Sequence, residues 1–225
     1  TAVAVTLMPV AESDGLPGLV IDRYGPFLVL QALTAGIDRR KTDLARWSAE
    51  LWTEASGQPV TGVYERSDVD VRAKEVLSEA TGSLLGDEPP DLLWMREGEG
   101  CYWSYESYWS YESYRTNRTD ETDRTHETRP PQERAIELPV DIRRGHKTGA
   151  YLDQADNRRR VARYAAGRLV LNVFSYTGGF GLHAAAAGAA ALTQVDSSGP
   201  ALGLGAEALA RNAPGFGEVE WVEAD

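Results

Sequence analysis

The 225-residue chain is 42% hydrophobic and 25% charged, with a formal net charge of −11, which excludes a fibre or a tail and describes a globular chain able to bury its own core. The charge argues against indiscriminate nucleic-acid binding, no apolar run nears the ~18 residues of a bilayer span, and the single cysteine leaves no internal disulfide or cysteine-based zinc site. With no basic segment ahead of an apolar run at its start, the sequence predicts a cytoplasmic protein.

In chain order, residues 18–33, GLVIDRYGPFLVLQAL, read as two strands around a Tyr-Gly-Pro turn. Residues 38–54 carry Leu44, Trp47, Leu51 and Trp52 at helical spacing. GVYERSDVDVRAKE then reads as strand, polar turn and short helix, and residues 1–92 together as a small α+β domain. Residues 93–139 read as a β-hairpin region interrupted at about 101–131 by a low-complexity insertion. There YWSYES stands twice in tandem, at 102–107 and 108–113, and the stretch that follows is nearly free of aliphatic residues. Its rings suit base stacking, but Glu106 and Glu112 among them oppose phosphate, so it reads as a disordered or weakly β-forming loop.

Order returns with IELPVDI as a strand, RRGHKTG as a turn and 153–166 as a helix. A buried-type strand at 169–174, a helix at 180–188, a strand at 192–196, a helix at 200–212 and a strand at 219–222 follow. This alternation predicts a parallel, doubly wound sheet. The fold class is therefore α/β, a partial Rossmann-like sheet over residues 140–225 preceded by the small α+β domain. Residues 140–168 hold eight basic and three acidic side chains, the only positive segment. Its Arg158, Arg159, Arg160 and Arg163 form either a strip facing a polyanion or a solvated helix face.

In LVLNVFSYTGGFGLHA, Gly179, Gly181 and Ala184 fit the dinucleotide fingerprint, and Asp196 follows the next strand. Nicotinamide, flavin and S-adenosylmethionine enzymes share that arrangement. Two features favour S-adenosylmethionine: bulky Phe174 and Tyr176 stand where a pyrophosphate wants bare amides, and a third strand also ends in an acid. Asn172, Asp196 and Asp225 would then trace a nucleoside across the sheet's carboxyl edge.

ESDGLPGLVIDRYG, VYERSDVDVR, GHKTGAYLDQADNR and VLNVFSYTGGFGLHAAAAGA together resemble the class I S-adenosylmethionine-dependent methyltransferases of large-subunit ribosomal RNA, in the 5-methylcytosine branch with an N-terminal PUA domain. The resemblance covers nearly everything except the insertion. It implies that residues 140–225 are the N-terminal half of the cofactor-binding domain. Tyr151, Asp153, Gln154 and Arg158 would contact the methionine end, Phe174, Ser175, Tyr176, Thr177, Gly178 and Gly179 wrap the cofactor, Asp196 and Ser197 hold the ribose, and Asp225 lies on the adenine side. Arg143, Arg144, Lys147, Arg159 and Arg160 are the implied contacts to ribosomal RNA. Ala155 departs from the family's Arg. His146 and His183 read as surface or packed residues, and Cys101, inside the insertion, as no nucleophile.

The resemblance further implies truncation at both ends, with the catalytic loop and its cysteine downstream of Asp225, the far edge of the 169–174 strand unpaired, and homodimerisation open to the full-length form. The alternatives left standing are a ribosomal RNA guanine-N7 methyltransferase, an NAD(P)-dependent oxidoreductase and a catalytically inactive RNA-binding module.

Overall fold

The run LVIDRYGPFLVLQA closes a hairpin. β2 (Leu19–Tyr24) and β3 (Phe27–Ala32) pair antiparallel from Leu19↔Ala32 to Tyr24↔Phe27, and Gly25 takes φ 64° in the turn, which glycine adopts without a Cβ clash. The structure, a computed structural model, describes residues 15–97 and 135–225, and the backbone alone of 5–10. The predicted insertion and Cys101 lie outside the described residues.

Around the hairpin a five-stranded sheet runs in the order β1-β2-β3-β4-β5. β1 (Val5–Val10), which the sequence reading missed, pairs antiparallel with β2. β3 pairs parallel with β4 (Gly62–Ser67), and the connection between them carries α1 (Ala35–Asp38) and α2 (Lys41–Ser56). β5 (Ala80–Gly86), also unread, closes the far side antiparallel to β4. A short 3-10 helix at Asp70–Glu75 takes the place of the expected helix.

The helix expected at 38–54 is α2, and of its four apolar positions Leu44 packs on the core of the sheet. Ala45 and Ala49 pack on Leu19, Ile21, Leu28, Leu30 and Val63, while Trp47 and Leu51 are exposed. Close approach of helix to sheet selects the small side chains, and the indole of Trp52 instead lies under the Arg23 guanidinium at 4.4 Å.

The sheet's other face joins a second core. Tyr24, Phe27, Val29 and Tyr64 pack with Met95, Leu138, Val140, Ile142, Leu182 and Leu209, so the two halves of the chain share apolar burial at roughly 1.5–3 kcal/mol per large side chain. Between them β6 (Leu93–Glu97) and β7 (Ile136–Val140) form an antiparallel pair.

The C-terminal part is a three-stranded parallel sheet in the order β10-β9-β8, with β8 (Leu169–Val173), β9 (Ala191–Asp196) and β10 (Val219–Glu223). Ahead of it, α3 (Ala155–Ala162) is shorter than the predicted 153–166 helix, with a 3-10 turn at Leu152–Gln154 before it. α4 (Gly179–Ala186) connects β8 to β9 and α5 (Gly199–Asn212) connects β9 to β10. The 169–174 strand is not buried on both faces. Val170 packs inward with Ala165, Ala184 and Ala189, but Leu169 is 82% exposed and Leu171 and Val173 are exposed with it, alternate residues on a face that no described residue covers, and β8 is an edge strand among the described residues. No helix among the described residues is long and apolar enough to cross a membrane.

Candidate functional site

The loop leaving β8 is bent by three left-handed residues in five: Phe174 (φ 56°), Tyr176 (φ 50°) and Gly178 (φ 75°). For the two aromatic residues this backbone costs of order 1–3 kcal/mol each and persists only where neighbours enforce it. Asp196, at the end of β9, does so. Its Oδ2 accepts the Tyr176 N–H at 2.7 Å and its Oδ1 the Ser198 N–H at 3.0 Å. The Ser175 N–H donates to the Val195 carbonyl at 2.9 Å and the Gly178 N–H to the Ser175 carbonyl at 2.8 Å. The Phe174 ring is left 87% exposed, and the Ser175 hydroxyl is buried with no hydrogen-bond partner among the described residues.

The glycines of this loop serve the protein's own interior. A methyl group added at Gly178 or Gly181 would strike the Gln194 amide, and one at Gly179 would press on Arg158 Cδ. Gln194 is wholly buried. It takes the Asn172 amide N–H on Oε1 at 2.6 Å and donates to the Gly178 carbonyl at 3.3 Å. Asn172, predicted to face a nucleoside, is thus bound to Gln194, and the G-x-G-x-x-A spacing has a packing reason that the fingerprint alone does not reveal.

Residues 141–151 form the opposite wall. The Tyr176 ring stacks on His146 at 4.7 Å and 15°, and meets Tyr151 edge-on at 5.8 Å. The Tyr176 hydroxyl accepts the His146 N–H at 3.1 Å and reaches the Gly149 carbonyl at 3.5 Å, and its burial pushes its pKa up. Tyr151 OH lies 3.2 Å from His146 Nδ1. Lys147 sits over the Tyr151 ring at 4.6 Å and 3.4 Å from Asp153, while Gln154 donates to Asp153. Gly149, at φ 134° and against Val140, admits no side chain.

The motifs of the first ninety residues converge on this wall from beneath. Arg66, from VYERSD, donates to the Ile142 carbonyl at 2.5 Å and the Gly145 carbonyl at 2.8 Å. Asp22, from DRYG, accepts the Thr148 hydroxyl at 2.5 Å, and Tyr24 OH lies 2.8 Å from Thr148 Oγ1 and accepts the Ala150 N–H at 3.3 Å.

Several predicted residues stand elsewhere. Arg158 is buried beneath the loop, ion-paired with Glu97 and bonded to the Tyr151 carbonyl. It therefore belongs neither to a basic strip nor to an open ligand face. His183 is likewise buried, 3.4 Å from Glu97 and bonded to the Gly179 carbonyl, and burial lowers its pKa. Arg143 is held by Glu88, Asp91 and the Pro89 carbonyl, and Arg159 pairs with Asp156. Arg144, Lys147 and Arg160 are exposed, as are Ser197 and Asp225. The Ala224 N–H donates to the Asp196 carbonyl, which brings the β10 end beside Asp196. Sequence reasoning missed Gln194, a buried amide in an apolar strand, and Glu97. For Asp22 and Arg66 the signal was there in the quoted motifs, without a role attached.

A family model described as S-adenosylmethionine-dependent methyltransferase matches residues 114–225. The ribosomal RNA large subunit methyltransferase I of Photobacterium profundum is 40% identical over 215 residues, 96% of this chain and 44% of the relative, and that of Aeromonas hydrophila is 38% identical over the same shares. The chain thus spans less than half the length of the curated relatives it matches. Among solved structures, a candidate S-adenosylmethionine-dependent methyltransferase from Streptococcus mutans and a candidate methyltransferase complexed with SAH each superpose with a TM-score of 0.70 at 21% identity, over 99% of this chain and 46% of theirs. The chain belongs to the S-adenosylmethionine-dependent methyltransferase family.

Proposed function

We propose that the chain binds S-adenosylmethionine across the carboxyl ends of β8, β9 and β10 and serves methyl transfer to large-subunit ribosomal RNA, at C5 of a cytosine. The observation that carries the cofactor is the way the loop uses its amides. The N–H groups of Ser175, Tyr176 and Gly178 are all bonded within the protein. A pyrophosphate needs such amides free, whereas a sulfonium nucleoside has no phosphate to cradle. This disfavours the NAD(P) reading of the same glycines.

The residues fit that cofactor. Each Asp196 oxygen takes one backbone N–H and keeps acceptor capacity for a ribose hydroxyl. Ser175 offers a buried hydroxyl in search of a partner, and Asp225 lies at the neighbouring strand end for the adenine amino group. Tyr151, Asp153 and Gln154 line the side on which the resemblance puts the methionine end, with Phe174 exposed beside the loop. When bound, the cofactor supplies a methyl group activated by the sulfonium. The chain's own contribution is to hold and orient it.

The ribosomal RNA substrate is supported by the names of the relatives, and the cytosine target by GHKTGAYLDQ. Addition at C6 of cytosine needs a thiolate, and this reading assigns none to Cys101. Calorimetry tests it. One equivalent of SAH binds per chain, NAD gives no heat, and Cys101→Ser leaves the SAH affinity unchanged. Binding of NAD in preference to SAH would falsify the cofactor assignment.

A further inference from the structure

Asp22 is 6% exposed, on the strand β2, with Thr148 at 1% exposed above it. Thr148 has one hydroxyl proton and gives it to Asp22 Oδ2, so Tyr24 must donate to Thr148 Oγ1 while accepting from the Ala150 N–H. The result is a one-way chain of donors, Ala150 to Tyr24 to Thr148, ending on a carboxylate. It joins two segments 126 positions apart. Thr148 lies between Lys147 (φ 54°) and Gly149 (φ 134°), in the wall that holds the Tyr176 ring and hydroxyl.

We propose that Asp22 is a positioning residue for the cofactor site, which pins residues 145–151 through Thr148 and, through their grip on Tyr176, sets the strained loop 174–178. The inference rests on the S-adenosylmethionine reading of that loop for its functional half only.

The energetics point the same way. Asp22 Oδ1 is buried without a partner among the described residues, and burial raises its pKa to about 6, against the Thr148 hydrogen bond and the Lys147 charge, with Asp153 adding to the rise. Its sheet neighbours Leu7 and Val29 add no charge. A carboxyl raised in this way gives stability that is present below the ordinary value of 3.8 and lost as pH rises through about 6. At neutral pH the fold therefore carries a charged group at a cost in stability, a pattern that marks functional positions.

The test uses Asp22→Asn, Thr148→Val and Thr148→Ser. The first two speed amide exchange of residues 145–151 at least tenfold and weaken SAH binding about tenfold at pH 8. Thr148→Ser restores both, and the Asp22→Asn/Thr148→Val double variant is no worse than either single. Asp22→Asn also keeps the wild-type melting temperature or exceeds it at pH 8, an advantage that shrinks toward pH 4. Unchanged exchange in the 145–151 segment, or a uniform loss of melting temperature without a specific change there, overturns the inference. The exchange measurement needs no cofactor, so a wild-type chain that bound no SAH would sink the cofactor assignment of that loop and still leave this inference to be decided.

Discussion

At the scale of single residues, the glycine loop is governed by Gln194. It fills the space that Gly178 and Gly181 leave open and ties Asn172 to the Gly178 carbonyl. Gly181→Ala is expected to destabilise by about 1–3 kcal/mol, as overpacking of a filled interior does. Gln194→Ala leaves the Asn172 amide N–H without its partner, while the Gly178 carbonyl keeps the Leu182 N–H, at about 1–3 kcal/mol. Combined, the two changes relieve each other, so the denaturant midpoint of the double variant lies above the sum of the singles. Strict additivity would show that the glycines serve something other than this amide. The fingerprint itself was legible in the sequence, but its first cause was not, because spacing records that a position is small and says nothing of which side chain occupies the space. Arg158 shows the same limit. Three consecutive arginines read as a surface strip, yet the middle of the fold takes the first of them for Glu97.

At the scale of elements, the strands and helices from 136 onward follow the sequence closely, because strand–helix alternation with glycine punctuation is a local signal. β1 and β5 escaped it. β5 carries Gly82 and Gly86 and is half exposed, so it lacks the apolar alternation that marks a strand. The residues that seat α2 on the sheet were not legible for a different reason, since alanines that permit close packing look neutral in sequence while tryptophan and leucine draw attention. β8 presents Leu169, Leu171 and Val173 outward on an edge strand, the kind of surface that associates in solution. Leu169→Thr with Leu171→Thr is expected to lower self-association in sedimentation runs, with stability shifting by no more than about 0.5 kcal/mol per site. If self-association persists unchanged, the association surface lies elsewhere.

At the scale of the whole molecule, the N-terminal sheet and the cofactor-type sheet meet at one wall, residues 141–151, clamped from below by Arg66, Asp22 and Tyr24 and facing Tyr176 above. The four motifs that were legible in the sequence as separate stretches are parts of one structure. Hydrogen bonds that span more than 70 positions, such as those of Arg66 to the 142–145 carbonyls, leave no trace in any local pattern. Of the cations implied as RNA contacts, Arg144, Lys147 and Arg160 are exposed. Reversing their charge is expected to weaken binding to large-subunit ribosomal RNA fragments and to reduce the slope of log affinity against log salt by about one for each phosphate no longer neutralised. A slope indifferent to all three would remove these residues as the RNA contacts. The central claim is that the adenosyl group lies across the ends of β8, β9 and β10 with its ribose on Asp196, and a crystal structure of the chain with SAH tests it most directly. Both ribose hydroxyls are expected within hydrogen-bond distance of the Asp196 carboxylate, with the Tyr176 N–H still bonded to Oδ2. SAH bound away from these strand ends, or a ribose that leaves Asp196 untouched, would contradict it.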